Sequence, residues 1–160
     1  MKHTIYATAG NFKIVITVLM VLSGMGLWSA FAFAQSEWQA RLTPNPVSFG
    51  TRETITGLGE VTATLDNNTL TLIGTFHGLQ GKVTAVKLHR GPKAIPGPEL
   101  GEIEFQISGD GKAGAINDII NLTDAQRQAL LAEGLYIQLY SEAAKDGNLR
   151  GWLLPRNSNK

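Results

Sequence analysis

Residues 60–76, which read EVTATLDNNTLTLIGTF, decide the fold class of this 160-residue chain. Apolar and polar side chains alternate over residues 60–65 and again over residues 69–76, with Leu70, Leu72, Gly74 and Phe76 on one face of the second run. Between the two runs lies Asp-Asn-Asn, a sequence typical of turns. A period of two residues on both sides of a short turn predicts a β-hairpin with one face in a core and the other in solvent.

Similar alternation recurs along the rest of the chain. Further strands are predicted over residues 37–42, 53–56, 83–89, 101–108, 135–141 and 149–154. Residues 78–82 are expected to close a second hairpin, and Asp146-Gly147 to form the turn before the last strand. Seven or eight short strands in a chain with 18 glycines and 6 prolines predict an all-β protein, folded as an antiparallel Greek-key β-sandwich or a barrel-like variant of it.

One short helix is predicted over residues 122–133. Thr123 and Gln126 have the spacing of a capping box, in which each side chain bonds the other residue's backbone N–H. Asp124 suits the positive end of the helix dipole. Gly134 is expected to close the C-terminal end.

Residues 1–34 have the features of an export signal. Lys2 and Lys13 give a positive start, residues 14–34 contain no charged side chain, and Ala32-Phe33-Ala34 has the small-residue pattern of a cleavage site. An uncleaved membrane anchor is the alternative, since about 20 apolar residues span a bilayer. We expect cleavage, a folded domain over residues 35–155 and a flexible tail over residues 156–160. The predicted location is periplasmic or secreted.

Composition excludes several classes of function. The chain has no cysteine, which rules out disulfides, thiolate metal sites and a cysteine nucleophile. Its formal net charge is +1, and no two Lys or Arg residues adjoin, so the basic patch of a nucleic-acid binder is missing. The lack of disulfides in an exported domain of this size favours a bacterial envelope protein.

Four segments, in order, resemble the CHRD domain, a family named for chordin and common in bacterial exported proteins. They are residues 78–91 (GLQGKVTAVKLHRG), 122–126 (LTDAQ), 134–141 (GLYIQLYS) and 147–153 (GNLRGWL). The resemblance implies a β-rich domain with a superoxide dismutase-like or immunoglobulin-like sandwich. It implies an interaction or structural role and no established enzymatic activity.

This chain departs from the family pattern at its histidines. Lys87-Leu88-His89 stands where the family often has H-I-H, and residues 137–141, Ile-Gln-Leu-Tyr-Ser, stand where it often has V-N-V-H-T. One histidine of three is therefore kept, whereas zinc or copper sites use three or four donors. We predict no metal and no cofactor. His77 and His89 would also lie at opposite ends of the second hairpin, too far apart to share an ion.

Candidate binding residues follow from the strand alternation. Tyr136, Gln138 and Tyr140 share one face of a predicted strand and are expected to form an amphipathic platform for sugar or peptide, alongside Lys87 and His89 if the two strands are neighbours. The alternative is that Tyr136 packs within the sandwich. Arg150, followed by Gly151, is interpreted as structural, fixing a loop through backbone carbonyls or a carboxylate such as Asp146.

The sequence shows no arrangement of residues that supports a catalytic site. Glu102 and Glu104 share a strand face but are best explained as solvated side chains, and no serine lies in a nucleophile elbow. We therefore predict a non-enzymatic binding or structural module of the bacterial envelope, whose partner is an envelope protein or glycan and which contacts the membrane only if the signal is uncleaved. The alternatives are a metal-dependent redox enzyme of superoxide dismutase type and a carbohydrate-binding protein.

Overall fold

The computed structural model describes residues 36–156. The export signal predicted over residues 1–34, and residues 157–160 of the predicted tail, lie outside this range. No helix within residues 36–156 is long and apolar enough to cross a bilayer. The elements are β1 (Ser36–Pro44), β2 (Leu58–Asp66), β3 (Thr69–His77), β4 (Val83–Arg90), β5 (Glu99–Glu102), β6 (Phe105–Ser108), β7 (Ala113–Asn121), α1 (Asp124–Leu131), β8 (Leu135–Ser141), β9 (Ala144–Trp152) and β10 (Leu154–Pro155).

The strands form one curled antiparallel sheet in the order β5-β4-β8-β9-β1-β2-β3-β7-β6, with β10 beside β1. Strand β1 joins two halves of this sheet, because residues 36–42 pair with β2 whereas Thr43 and Pro44 pair with β9. We call β1, β2, β3, β7, β6 and β10 the first half, and β5, β4, β8 and β9 the second half. Buried side chains from both halves form a single apolar core. The predicted all-β class with one short helix is confirmed.

The hairpin predicted from residues 60–76 is present as β2 and β3. Leu65 pairs with Leu70 and Val61 with Gly74, and Asn67 in the turn adopts a left-handed φ of 54°. Leu70, Leu72 and Phe76 are buried, as their alternation predicted.

The helix also forms as predicted. Thr123 and Gln126 make the reciprocal capping-box bonds, with distances of 2.8 and 3.2 Å. The C-terminal end differs in detail from the prediction. Glu133 rather than Gly134 takes the left-handed conformation, with φ at 57°, while the Gly134 N–H bonds the Ala129 carbonyl. The Glu133 N–H also bonds the Leu130 carbonyl, and the two bonds satisfy carbonyls that the last helical turn leaves free.

The second predicted hairpin is wrong. Strand β3 pairs with β2 and β7, and β4 pairs with β5 and β8, so residues 78–82 cross from the first half of the sheet to the second. The backbone N–H of Leu79 donates to Lys112 and that of Val83 to Gly111, and the Leu79 side chain is buried. Leu79 belongs to the core that both halves share, so its burial stabilises the crossover from one half to the other.

The strand predicted over residues 101–108 is divided between the two halves. Strand β5 belongs to the second half and β6 to the first. Between them, Ile103 is buried and its N–H donates to Val86, while the Glu104 N–H donates to the Asp118 carboxylate. Ile103, Phe105 and Ile107 alternate with polar residues as on a single strand, and this regular pattern concealed the crossover. Ile107 is 62% exposed.

Two further predictions need correction, and one strand was missed. Residues 53–56 form turns, since the N–H groups of Thr54 and Ile55 both donate to Thr51. Strand β7 was not predicted. The turn before β9 lies at residues 142–143 instead of Asp146-Gly147, because Ser141 already pairs with Ala144.

Candidate functional site

The predicted binding residues lie on the outer face of the second half of the sheet. Leu135, Ile137 and Leu139 point into the core, so the alternating residues of β8 point outward. Strand β8 lies between β4 and β9. His89 stands opposite Tyr136, and Lys87 stands opposite Gln138. The condition that β4 and β8 be neighbours is therefore met.

Strand β9 contributes two more side chains to this face. Trp152 stands opposite Tyr136 and Arg150 opposite Gln138. Two rows thus cross three strands, one of His89, Tyr136 and Trp152 and one of Lys87, Gln138 and Arg150. We call these six residues together with Tyr140 the outer cluster. Trp152 was missed in the sequence, although its position two residues after Arg150 places both side chains on one face.

Aromatic contacts hold the first row together. The His89 and Tyr136 rings stack with centroids 4.9 Å apart and planes at 14°. The Tyr136 and Trp152 rings are also 4.9 Å apart, with planes at 36°. The Arg150 guanidinium carbon lies 5.4 Å from the centroid of the Tyr136 ring. Such contacts are individually modest but fix the relative orientation of the rings.

The glycine- and proline-rich loop of residues 91–98 covers part of this row. The Gly97 carbonyl accepts from His89 Nδ1 and from the Tyr136 hydroxyl, each at 3.1 Å. Trp152 Nε1 donates to the Gly91 carbonyl at 3.0 Å. Tyr136 is consequently 1% exposed and His89 8% exposed. These two residues support the surface, and solvent reaches Tyr140, Lys87, Arg150 and Trp152, each half-buried.

A family model described as the CHRD domain matches residues 38–153, from β1 to the residue after β9. The chain belongs to the CHRD domain family. No curated protein and no solved structure matches the chain. CHRD domains are in general non-catalytic, and membership indicates a binding or structural module. The family resemblance of the four sequence segments is thereby confirmed.

Lys87 and Tyr140, which stand where the family often has histidines, lie close to His89, the histidine that this CHRD domain keeps. Tyr140 Oη is 3.1 Å from His89 Nε2, and Lys87 Nζ is 5.7 Å from the centroid of the Tyr140 ring. Both His89 ring nitrogens are engaged, one by Tyr140 and one by Gly97. Within residues 36–156 no three His, Asp or Glu side chains group as metal ligands do. The donors present here therefore do not fit a copper or zinc centre.

Gln138 and Arg150 form a partly buried polar contact in the CHRD domain's outer cluster. Arg150 Nε donates to Gln138 Oε1 at 2.5 Å, and Gln138 Nε2 donates to the Leu149 carbonyl at 3.0 Å. Arg150 was expected to bond backbone carbonyls or a carboxylate such as Asp146, and in the structure it donates to the Gln138 side chain. Gly151 allows β9 to approach β1, because a Cβ atom there would lie 2.5 Å from the Arg41 carbonyl oxygen.

Lys87 and Tyr140, at the exposed edge of the outer cluster, both have raised pKa values. Lys87 Nζ lies 2.8 Å from Glu99 Oε2, and this hydrogen bond is the main cause that raises the pKa of Lys87 above its ordinary value. Partial burial raises the pKa of Tyr140, because the phenolate is less well solvated there, although the charge of Lys87 opposes this shift. The edge therefore presents a persistent cation beside a protonated phenol at neutral pH.

Proposed function

We propose that this CHRD domain is a non-enzymatic binding module of the bacterial cell envelope, exported to the periplasm or the exterior. Family membership supports the binding or structural role. The charge-free segment of residues 14–34 and its terminal Ala-Phe-Ala support export. The absence of cysteine from the sequence agrees with a bacterial protein whose core is stable without disulfides.

The outer cluster is the observation that carries the proposed binding site. Its half-buried members are Tyr140, Trp152, Arg150 and Lys87, and Tyr, Trp and Arg are the residue types that contribute most binding energy at interfaces. Trp152 packs on the Tyr136 ring, Tyr140 bonds His89 and Arg150 bonds Gln138, so three of the four are held from below. Lys87 is held by its ion pair with Glu99. A surface already fixed in one arrangement loses little conformational entropy when a ligand binds.

Carbohydrate binding is favoured over protein binding by the chemistry of this surface. Tyrosine and tryptophan offer apolar ring area with a polar edge, and the neighbouring cations Lys87 and Arg150 donate hydrogen bonds to hydroxyl groups. The redox alternative has less support, because His89 is enclosed by Gly97 and Tyr140 and no metal-ligand group occurs over the described range.

Cell fractionation and co-sedimentation test the proposal. The full-length chain is produced in a bacterial host, and mass spectrometry of its N-terminus reports whether residues 1–34 are removed. The purified protein is then sedimented with isolated envelopes. We expect an exported protein whose affinity for envelopes falls by roughly tenfold on Tyr140→Ala, a typical effect of truncating an aromatic at an interface.

Ile119→Ala is the matched control, since this side chain is 65% exposed on the other half of the sheet. Because Tyr140→Ala also removes a bond to His89, Lys87→Met is tested in parallel. Retention in the cytoplasm, or unchanged sedimentation of both outer-cluster variants, would contradict the proposal.

A further inference from the structure

A groove lies beside the outer cluster, where β1 passes β9 and β10. Its volume is about 680 Å³, within the ~300–1,000 Å³ usual for ligand sites. Four cationic side chains line it, and no carboxylate does. They are Arg41, Lys93, Arg150 and Arg156.

Half of this positive charge is not neutralised by neighbours. Arg156 pairs with Glu37 at 2.9 Å and Lys93 pairs with Glu133. In the described part of the chain, by contrast, no carboxylate oxygen lies within 4 Å of a nitrogen of Arg41 or Arg150. Glu60 stands opposite Arg41 in the β1–β2 register but forms no ion pair with it. Arg150 is bonded to the neutral amide of Gln138.

The remaining walls combine an aromatic ring with neutral polar groups. Trp152 supplies apolar area, Thr43 a hydroxyl, and Gln39 and Asn45 amides. Amides and hydroxyls both donate and accept, as the hydroxyl groups of a sugar require. A guanidinium matches the two oxygens of a carboxylate with parallel N–H bonds.

We propose that this groove binds an acidic polysaccharide, with sugar carboxylates held by Arg41 and Arg150 and a sugar ring against Trp152. The inference rests on the proposed function and names its ligand class. An acidic peptide fits less well, because peptides commonly bind by adding a strand to a free sheet edge. Here β1 is flanked by β2 on one side and by β9 and β10 on the other.

Binding to polygalacturonate, an uncharged dextran and poly-glutamate distinguishes the ligand classes. We expect the purified full-length protein to bind polygalacturonate in preference to both others, with affinity that decreases as salt rises. Arg41→Gln should weaken binding roughly tenfold, the effect of losing one charge-assisted pair. Arg41 is exposed, so this variant should fold normally. Arg52→Gln is the matched control, because it removes the same charge from an exposed loop outside the groove.

The outcomes separate this inference from the proposed function. Equal affinity of Arg41→Gln and the unsubstituted protein for polygalacturonate, or equal binding of dextran or poly-glutamate, overturns the acidic-polysaccharide inference. In those cases the proposed function still stands if envelopes are bound through Tyr140. Failure to bind both envelopes and polygalacturonate overturns both.

Discussion

The Tyr140 hydroxyl lies 3.1 Å from Nε2 of His89, although the two residues are not register partners in the sheet. The other ring nitrogen, Nδ1, faces the Gly97 carbonyl, which can only accept. In the neutral ring the proton therefore sits on Nδ1, and Nε2 accepts from Tyr140. This arrangement connects β8, β4 and the covering loop through one imidazole.

Removing the Tyr140 hydroxyl should destabilise the fold modestly. Tyr140→Phe keeps the ring but leaves His89 Nε2 without its donor, and we expect the free energy of unfolding in urea to fall by about 0.5–1.5 kcal/mol. Ile119→Ala, at an exposed position, should change it by less than about 0.5 kcal/mol. Equal stability of Tyr140→Phe and the unsubstituted protein would show that the hydroxyl bond contributes nothing.

Stability should decrease in alkaline solution. The pKa of Tyr140 is raised mainly by burial and that of Lys87 mainly by the hydrogen bond to Glu99. A group whose folded-state pKa lies above its unfolded value stabilises the fold below the unfolded value, and this contribution is lost as pH rises through the folded pKa. We expect the Cζ resonance of Tyr140 to titrate above its ordinary pKa of 10.0, and Tyr140→Phe to remove that resonance. A Tyr140 midpoint at or below 10.0 is the contrary result.

Asn148 should be among the most sensitive polar residues. It is fully buried, its Oδ1 accepts from the Ser141 hydroxyl at 2.7 Å and its Nδ2 donates to the Thr56 carbonyl at 2.7 Å. Asn148→Ala leaves both partners unsatisfied, which should cost about 1–3 kcal/mol of unfolding free energy in urea. Asn117→Ala, on an exposed strand position, is the control. Similar losses in the two variants would argue against a special role for the buried amide.

Gly147 should not tolerate a side chain. Its φ is 128°, and a Cβ atom there would lie 2.5 Å from Gln138 Nε2. Gly147→Ala should therefore lower thermal and urea stability by about 1–3 kcal/mol through backbone strain and displacement of Gln138. Gly101→Ala provides a comparison, because its Cβ would meet nothing within 4 Å. If both variants unfold at the same urea concentration, the strain is absent.

The sequence correctly predicted the elements that depend only on residues close together in the chain. The hairpin of β2 and β3 depends on adjacent alternation and a two-residue turn, and the start of α1 depends on Thr123 and Gln126 alone. Both are correct. The crossover at residues 78–82 instead brings Leu79 into a core built from strands that are distant in sequence. A short segment of sequence does not show which distant strands will surround it.

The candidate site could likewise be predicted only in part from the sequence. Alternation placed Tyr136, Gln138 and Tyr140 on one face, but it carries no information on the loop that folds over that face. Gly97 lies 39 residues before Tyr136, and its bonds to that side chain decide which ring faces solvent. Arg41 was overlooked for a related reason, because the groove forms only where β1 meets residues 150–156.

Because β1 pairs with strands of both halves of the sheet, it also constrains the order in which the chain can fold. Its partners are β2, the next strand made, and β9 and β10, which are the last two strands within residues 36–156. A nascent or truncated chain that stops before residue 144 leaves one edge of β1 without its neighbours, and an open strand edge is a template for intermolecular pairing. This edge of β1 is covered only once β9 and β10 have been made, so a chain that stops before residue 144 should be insoluble.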